Sequence, residues 1–499
     1  MKSTYWGEHG YEYVYALSAA IEAYTKRVEG LNKGAFTYSG IDLRFAVERD
    51  LYFRYVGSPL LVSLYNALQF GCVAERYLAR DALEYFLARE MVEKIEIRFA
   101  GRLRYRRNVF RKFLQGGLRI VNRVRSASAI SPDFAGRIAA YLTHPKFSSL
   151  FAPILAEFGA DTVYIRPPGC VNETLPPAQV PVVDLVSVRW QKQGLARGSQ
   201  LHLFPRVLSL CSTLVKTFSA SKPHCVLIPE GNAPDCEVVN RVCRHLGVPV
   251  ICIQNGWAPY IHNGFRNMSF TKMLVWGGQF ARLLKPYNPE QNFVVTGSHL
   301  VSHKSVPADD AGEKGVVFFL QAPDQLISLR CWDNVLHLIS WTAQKFPHVA
   351  VYVREHPQHR LSEKEISQLA FFPNVTLKAP QDCSLDRLLE SSFISLSVHS
   401  STILESIAAG VFPLIYNDTP MPHYFPDVHA AKAGIEVKTL EAAKELLAAL
   451  ITDPRSIDGY RTSMRGFAKD YFHSDRKDAL KMIIREIKGA IPPAYSHRS

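Results

Sequence analysis

The chain has 499 residues, too many for a single apolar core, so two to four domains are expected. With 47% hydrophobic and 21% charged residues it has an ordinary globular composition, which excludes a largely disordered protein. The net charge is +13, but ten Lys and Arg fall between Ile97 and Ile130 without one acid, so the remainder is close to balanced and a general nucleic-acid-coating surface is excluded.

Residues 1–145 read as a mainly helical, basic N-terminal region with few turn signals. Met1–Tyr15 has no basic stretch followed by an apolar core, so no secretory signal is expected. The apolar run Leu60–Ala74 is interrupted by Ser63, Asn66 and Gln69, and reads as a buried or amphipathic helix. Within the basic segment, Phe110, Phe113, Leu114, Gly117, Leu118, Val121 and Val124 recur near helical spacing, with Arg111, Lys112, Arg119 and Arg123 on other faces. Two readings stand. One is peripheral binding of 97–130 to an anionic membrane surface; the other is a core-facing helix with a solvated basic face.

From about residue 159 short β-rich runs alternate with amphipathic segments, the pattern of a parallel α/β sheet. Strands are predicted at Thr162–Ile165, Val182–Val188, Cys225–Pro229, Val248–Ile253, Met273–Trp276 and Phe293–Thr296. A polar linker from Ser302 to Gly315 ends this first unit, assigned to 146–305. A second unit, 312–455, has strands at Val316–Leu320, Val349–Arg354, Val375–Leu377, Phe393–Val398 and Phe412–Tyr416. Residues 456–499 read as C-terminal helices and a tail. The nine cysteines show no Cys-x-x-Cys pair and no metal spacing, and are expected to be buried free thiols in a reducing cytosol.

Two doubly wound units in tandem bind ligands beyond their strand ends, and the candidate motifs all follow strands. His356-Pro357 ends Val349–Val353, where an imidazole can donate to a phosphate. His399-Ser400-Ser401 joins a strand to the helix Thr402–Ala409, so Ser400 and Ser401 are expected to cap it and form an anion site. Glu405 lies one turn inside, placed to accept from a ribose or sugar hydroxyl, and Gly410 ends the helix. Arg354 and Lys378 can add positive charge to a departing nucleotide. Glu230 and Asp324 follow strands in the first and second units; each could equally be a helix-start or turn acid. Gln254-Asn255-Gly256-Trp257 follows a third strand, with Gln254 and Asn255 placed to position an acceptor and Trp257 and Tyr260 to stack on a sugar. No Asp-x-Asp, phosphate-loop or dinucleotide fingerprint occurs, so no metal or other cofactor is expected.

The pairing of His356-Pro357 with Ser400-Ser401 resembles the nucleotide side of GT-B glycosyltransferases that use cytidine-activated donors: bacterial sialyl- and polysialyltransferases, teichoic-acid glycerophosphotransferases and capsule-type β-Kdo transferases, Kdo being 3-deoxy-manno-octulosonic acid. The resemblance covers roughly residues 220–420. It implies two Rossmann-like domains facing a cleft, with His356, Pro357, Ser400 and Ser401 holding the cytidine phosphate. Glu230 resembles the base of the sialyltransferases, although Pro229 replaces the first acid of their acidic-acidic-Gly motif. Gln321 and Asp324 resemble the loop of the Kdo enzymes in which an Asp attacks the anomeric carbon, and this favours Kdo. The implied function is transfer of a sugar, Kdo ahead of sialic acid, from a CMP-activated donor to a glycan or lipid-linked acceptor in bacterial surface-polysaccharide synthesis, in the cytoplasm or on the inner face of its membrane. Rival readings are a CDP-polyol phosphotransferase, a UDP-sugar transferase, or a catalytically silent scaffold of the same fold; a hydrolysing nucleotide-sugar 2-epimerase shares the fold, but its characteristic motifs do not occur in this sequence.

Overall fold

The computed structural model describes residues 10–68, 83–87, 89, 133–144, 147–167, 180–188, 190–256, 260–301, 314–324, 326–356, 359–398, 400–418 and 427–491. The basic segment 97–130, Trp257, Pro357 and His399 lie outside them. The described chain opens with helix α1 (Gly10–Leu31), a hairpin of β1 (Thr37–Tyr38) and β2 (Ile41–Asp42), α2 (Arg44–Tyr55) and α3 (Pro59–Leu68).

Two all-parallel sheets follow. The first comprises β3 (Ile138–Tyr141), β4 (Thr162–Arg166), β5 (Val182–Asp184), β6 (Cys225–Pro229), β7 (Val250–Ile253), β8 (Lys272–Val275) and β9 (Phe293–Val295), in the order β5-β4-β3-β6-β7-β8-β9. The second comprises β10 (Gly315–Phe319), β11 (Val351–Arg354), β12 (Val375–Lys378), β13 (Ser392–Ser397), β14 (Phe412–Tyr416) and β15 (Ile435–Val437), in the order β12-β11-β10-β13-β14-β15. In each sheet the direction of winding reverses once, between β3 and β6 and between β10 and β13. A crevice opens there at the carboxyl edge. Two such sheets in tandem are the α/β, GT-B-type architecture expected from the sequence.

The strands form where the sequence is apolar without alternation, because helices cover both faces of a parallel sheet. Every residue of β6 and β14 is buried. The helices carry their own boundaries. Pro234–Leu246 begins with proline and acids (Asp235, Glu237) and ends at Gly247 in the left-handed conformation (φ +67°). Leu329–Lys345 is capped by Ser328, and Glu363–Ala370 by a reciprocal Ser362–Glu365 box.

Three boundaries differ from expectation. β3 precedes residue 146 yet is central to the first sheet, with Ile138 opposite both Thr162 and Cys225. The N-terminal helices are part of that domain rather than separate from it, since Tyr13, Leu17, Val47 and Leu51 are buried in one continuous core with Val238 and Val242. The C-terminal helices also return to the first domain. Ile483, Ile484 and Ile487 of Arg476–Lys488 form one apolar stripe, buried against Ile138, Leu150 and Ile154. Arg476 then ties the domains together: its Nε donates to the Leu300 carbonyl at 3.1 Å and its Nη2 pairs with Asp386 at 2.8 Å.

Cys211, Cys225, Cys236, Cys243, Cys252 and Cys331 are buried free thiols, and burial pushes Cys225 and Cys236 up to about 12. Among the described residues no helix is long and apolar enough to cross a membrane.

Candidate active site at the carboxyl edges of the two sheets

Glu230 directly follows β6, on one side of the first crevice. Its N–H donates to the Ile253 carbonyl at 2.9 Å, which extends the ladder one residue past the strand. The backbone then turns left-handed, with φ +53° at Glu230 and +72° at Gly231. Glycine adopts this region without strain, whereas a glutamate there is uncommon and is held by its surroundings. The neighbouring loop is shaped to match: a Cβ added at Gly256 would lie 3.0 Å from Glu230 Oε1.

Gln254, expected to position an acceptor, also holds this loop together. Its buried amide donates from Nε2 to the Gly256 carbonyl at 3.0 Å, and its Oε1 accepts from the Trp276 N–H at 2.9 Å. The Trp276 indole N–H returns a bond to the Gln254 carbonyl at 3.0 Å. Both polar atoms of the side chain are thus engaged inside the protein. Asn255 is half-buried and Gly256 lines the adjoining pocket.

That pocket, of about 270 Å³, is lined by Glu230, Asn232, Gln254 and His262 among apolar walls from Phe53, Tyr260, Phe265, Phe280 and Leu283. Phe53 belongs to α2, so the N-terminal region contributes directly to this space. Tyr260 shares a hydrogen bond with Tyr52 of α2. Burial holds the Tyr260 phenol well above its ordinary value; the Tyr52 bond lowers it, and the charge of Asp324 from the second domain raises it.

Asp324 lies in the loop after β10, on one side of the second crevice. Its Oδ1 accepts from the N–H groups of Leu326 (2.7 Å) and Ile327 (3.0 Å), and its own N–H donates to the Ile327 carbonyl at 3.1 Å. A short carboxylate after proline favours this self-bonded turn, which fixes the carboxyl plane. Oδ2 makes no hydrogen bond among the described residues. Burial raises the carboxyl above the usual range, against the pull of the two N–H groups.

The candidate residues of the second sheet are arranged around the central strand β10. His356 follows β11, and its carbonyl accepts from the His359 N–H at 3.1 Å in an isolated bridge. Arg354, paired in register with Lys378, donates from Nη1 to the Cys383 carbonyl at 2.8 Å. Across the crevice, Ser400 and Ser401 divide the role expected of both. Ser400 Oγ accepts from the Thr402 N–H at 3.2 Å. Ser401 already has helical backbone (φ −60°, ψ −20°), and its hydroxyl makes no capping bond because capping requires non-helical geometry. Gly410 ends the helix at φ +75°.

Glu405 is pushed up to about 7 by burial, with Arg354 the largest opposing influence. A carboxyl raised in the folded state contributes stability at low pH that is lost as pH rises, here from about 4.5 through about 7. Urea melts of wild-type protein and Glu405→Gln across that window should show a steeper downward slope in the wild type, the slope left in the variant coming from Glu48, which burial also raises to about 7. Parallel curves would contradict the assignment.

No protein-family model matches the sequence, and no curated protein matches it. Solved structures of similar fold include UDP-GlcNAc 2-epimerase from Neisseria meningitidis bound to UDP-GlcNAc, at 16% identity over 71% of this chain and 100% of that one, with a TM-score of 0.49. The glycotransferase of kitacinnamycin is 14% identical over 72% of this chain and 100% of that one, with a TM-score of 0.45. MurG from Acinetobacter baumannii is 16% identical over 72% and 100%, with a TM-score of 0.44.

Proposed function

We propose that the protein is a retaining glycosyltransferase that moves a sugar from a CMP-activated ulosonic donor, Kdo ahead of sialic acid, to a glycan or lipid-linked acceptor of a bacterial surface polysaccharide. The observation that carries this reading is the position of Tyr260. It lines the pocket that holds Glu230, which follows the central strand of the first sheet, while Asp324 follows the central strand of the second with its Oδ2 unbonded among the described residues, so each sheet offers one carboxyl group at its carboxyl edge.

In this reading Asp324 Oδ2 attacks the anomeric carbon as the bond to the phosphate breaks, and CMP leaves with the electron pair. His356 donates to the departing phosphate, Ser400 and Ser401 bind it, and Arg354 and Lys378 spread its charge. Glu405 accepts from a ribose hydroxyl. An acceptor hydroxyl then attacks the same carbon, giving its proton to Glu230 and releasing Asp324. Two displacements restore the anomeric configuration. The reading places the enzyme in the cytoplasm, with 97–130 on the anionic inner surface of the membrane.

A thermal-shift series with CMP, CDP, UDP and GDP tests the donor side. CMP should stabilise the protein most, and His356→Ala should lose that shift. Stabilisation by UDP alone would overturn the cytidine assignment, and no shift with any nucleotide would favour the silent scaffold.

A further inference from the structure

Arg49 lies on α2, outside every motif discussed above, and is fully buried. Its Nη1 donates to the Gly231 carbonyl at 2.7 Å, and its Nη2 pairs with Glu237 at 3.0 Å, where neither side chain touches solvent. Glu237 in turn binds Arg241 at 2.6 Å. We propose that Arg49 is a positioning residue for the reaction: through the Gly231 carbonyl it holds Glu230 in its left-handed conformation, aimed along Gly256. The proposal rests on the reading of Glu230 as the acid/base group.

The arrangement makes little sense as a device for stability alone. Arg49 Nε and Nη2 and Glu237 Oε2 lack hydrogen-bond partners despite the close ion pair, and burying such a pair costs more than burying apolar side chains of similar size. Methionines would hold α2 against Pro234–Leu246 at least as well. What they could not supply is a charge-assisted bond to a carbonyl in a turn that two successive residues enter at positive φ. The turn is confined from the other side too. A Cβ at Gly231 would come within 2.7 Å of Phe270 and 2.8 Å of Cys252, so the peptide has no room to shift outward. Arg49 closes the remaining side. The N-terminal helices thereby become part of the catalytic apparatus, since the turn they grip carries the group that handles the acceptor proton.

The variant Arg49→Met/Glu237→Met/Arg241→Met removes all three linked charges at near-constant volume and should remain folded. Arg49→Lys, which keeps the charge but loses the forked reach, is the parallel variant should the triple one fail to fold. Each is read in two ways: by the backbone angle of Glu230 in a crystal structure, and by steady-state kinetics. We expect Glu230 to leave positive φ, kcat to fall at least about tenfold, and donor KM and the CMP thermal shift to stay unchanged. A merely structural role would lower stability without separating kcat from KM. Either a Glu230 that keeps its left-handed backbone, or a relaxed Glu230 with turnover within about twofold of wild type, overturns the proposal. Failure of the underlying reading is separately visible: if Glu230→Gln transfers sugar normally, Glu230 is not the acid/base group, whatever the crystal structures show of Arg49.

Discussion

Asp324→Asn is expected to lose sugar transfer by on the order of 10³-fold or more while binding CMP as well as the wild type. Asparagine keeps the carbonyl oxygen that accepts from Leu326 and Ile327, so the turn survives and only the nucleophilic oxygen is changed. The same variant should melt higher at pH 7. Burial raises the Asp324 carboxyl, so its contribution to stability is present below the usual carboxylate range and is lost as pH rises through its folded value. At neutral pH the ionised group is therefore a cost that asparagine removes, and the two proteins should converge in acid. Activity within tenfold of wild type would remove the covalent step and leave a single displacement driven from Glu230. Intact-mass detection of a sugar adduct on Asp324 in the wild type is the complementary measurement.

The alternation of two sheets was readable because buried parallel strands require continuous apolar runs. Cys225–Pro229 and Phe412–Tyr416 form strands at the boundaries their composition implies. β3 escaped because Ile138-Ala-Ala-Tyr141 is short and half alanine, which is weakly disposed to strands, and it follows directly on the basic region. β15 escaped because it is a three-residue edge strand, where alternation is too brief to register. At the candidate site, chain position was enough to place Glu230, Asp324 and His356 just beyond strand ends at the carboxyl edges of the sheets. Side-chain partners distant in sequence were not legible. Nothing local to Gln254 shows that the Trp276 backbone, 22 residues on, takes up its oxygen. Arg49 was passed over for a similar reason: a charge on a helix reads as solvated. The available signal was its spacing, since Ala46, Arg49 and Tyr52 fall on one face and all three are buried.

Glu230→Gly should make the protein more stable and greatly slow transfer. At φ +53° any residue with a Cβ is strained, and glycine is the one residue that adopts this region freely. Relief of that strain is worth about 1 kcal/mol, partly offset by the greater freedom of glycine in the unfolded chain. Loss of the carboxylate should reduce transfer by about 10²- to 10⁴-fold, the usual contribution of a positioned acid/base group. Glu230→Gln separates the two effects, because it keeps the Cβ and the strain but cannot take a proton. It should be as inactive as the glycine variant and no more stable than wild type in chemical unfolding. Equal stability of all three proteins would mean that the turn stores no strain at Glu230. A glycine variant less stable than wild type would mean that the glutamate side chain itself anchors the loop at Gly256. In the expected case the protein keeps a destabilising residue at the edge of the first sheet because only that backbone aims the carboxylate into the pocket it lines with Asn232 and Tyr260.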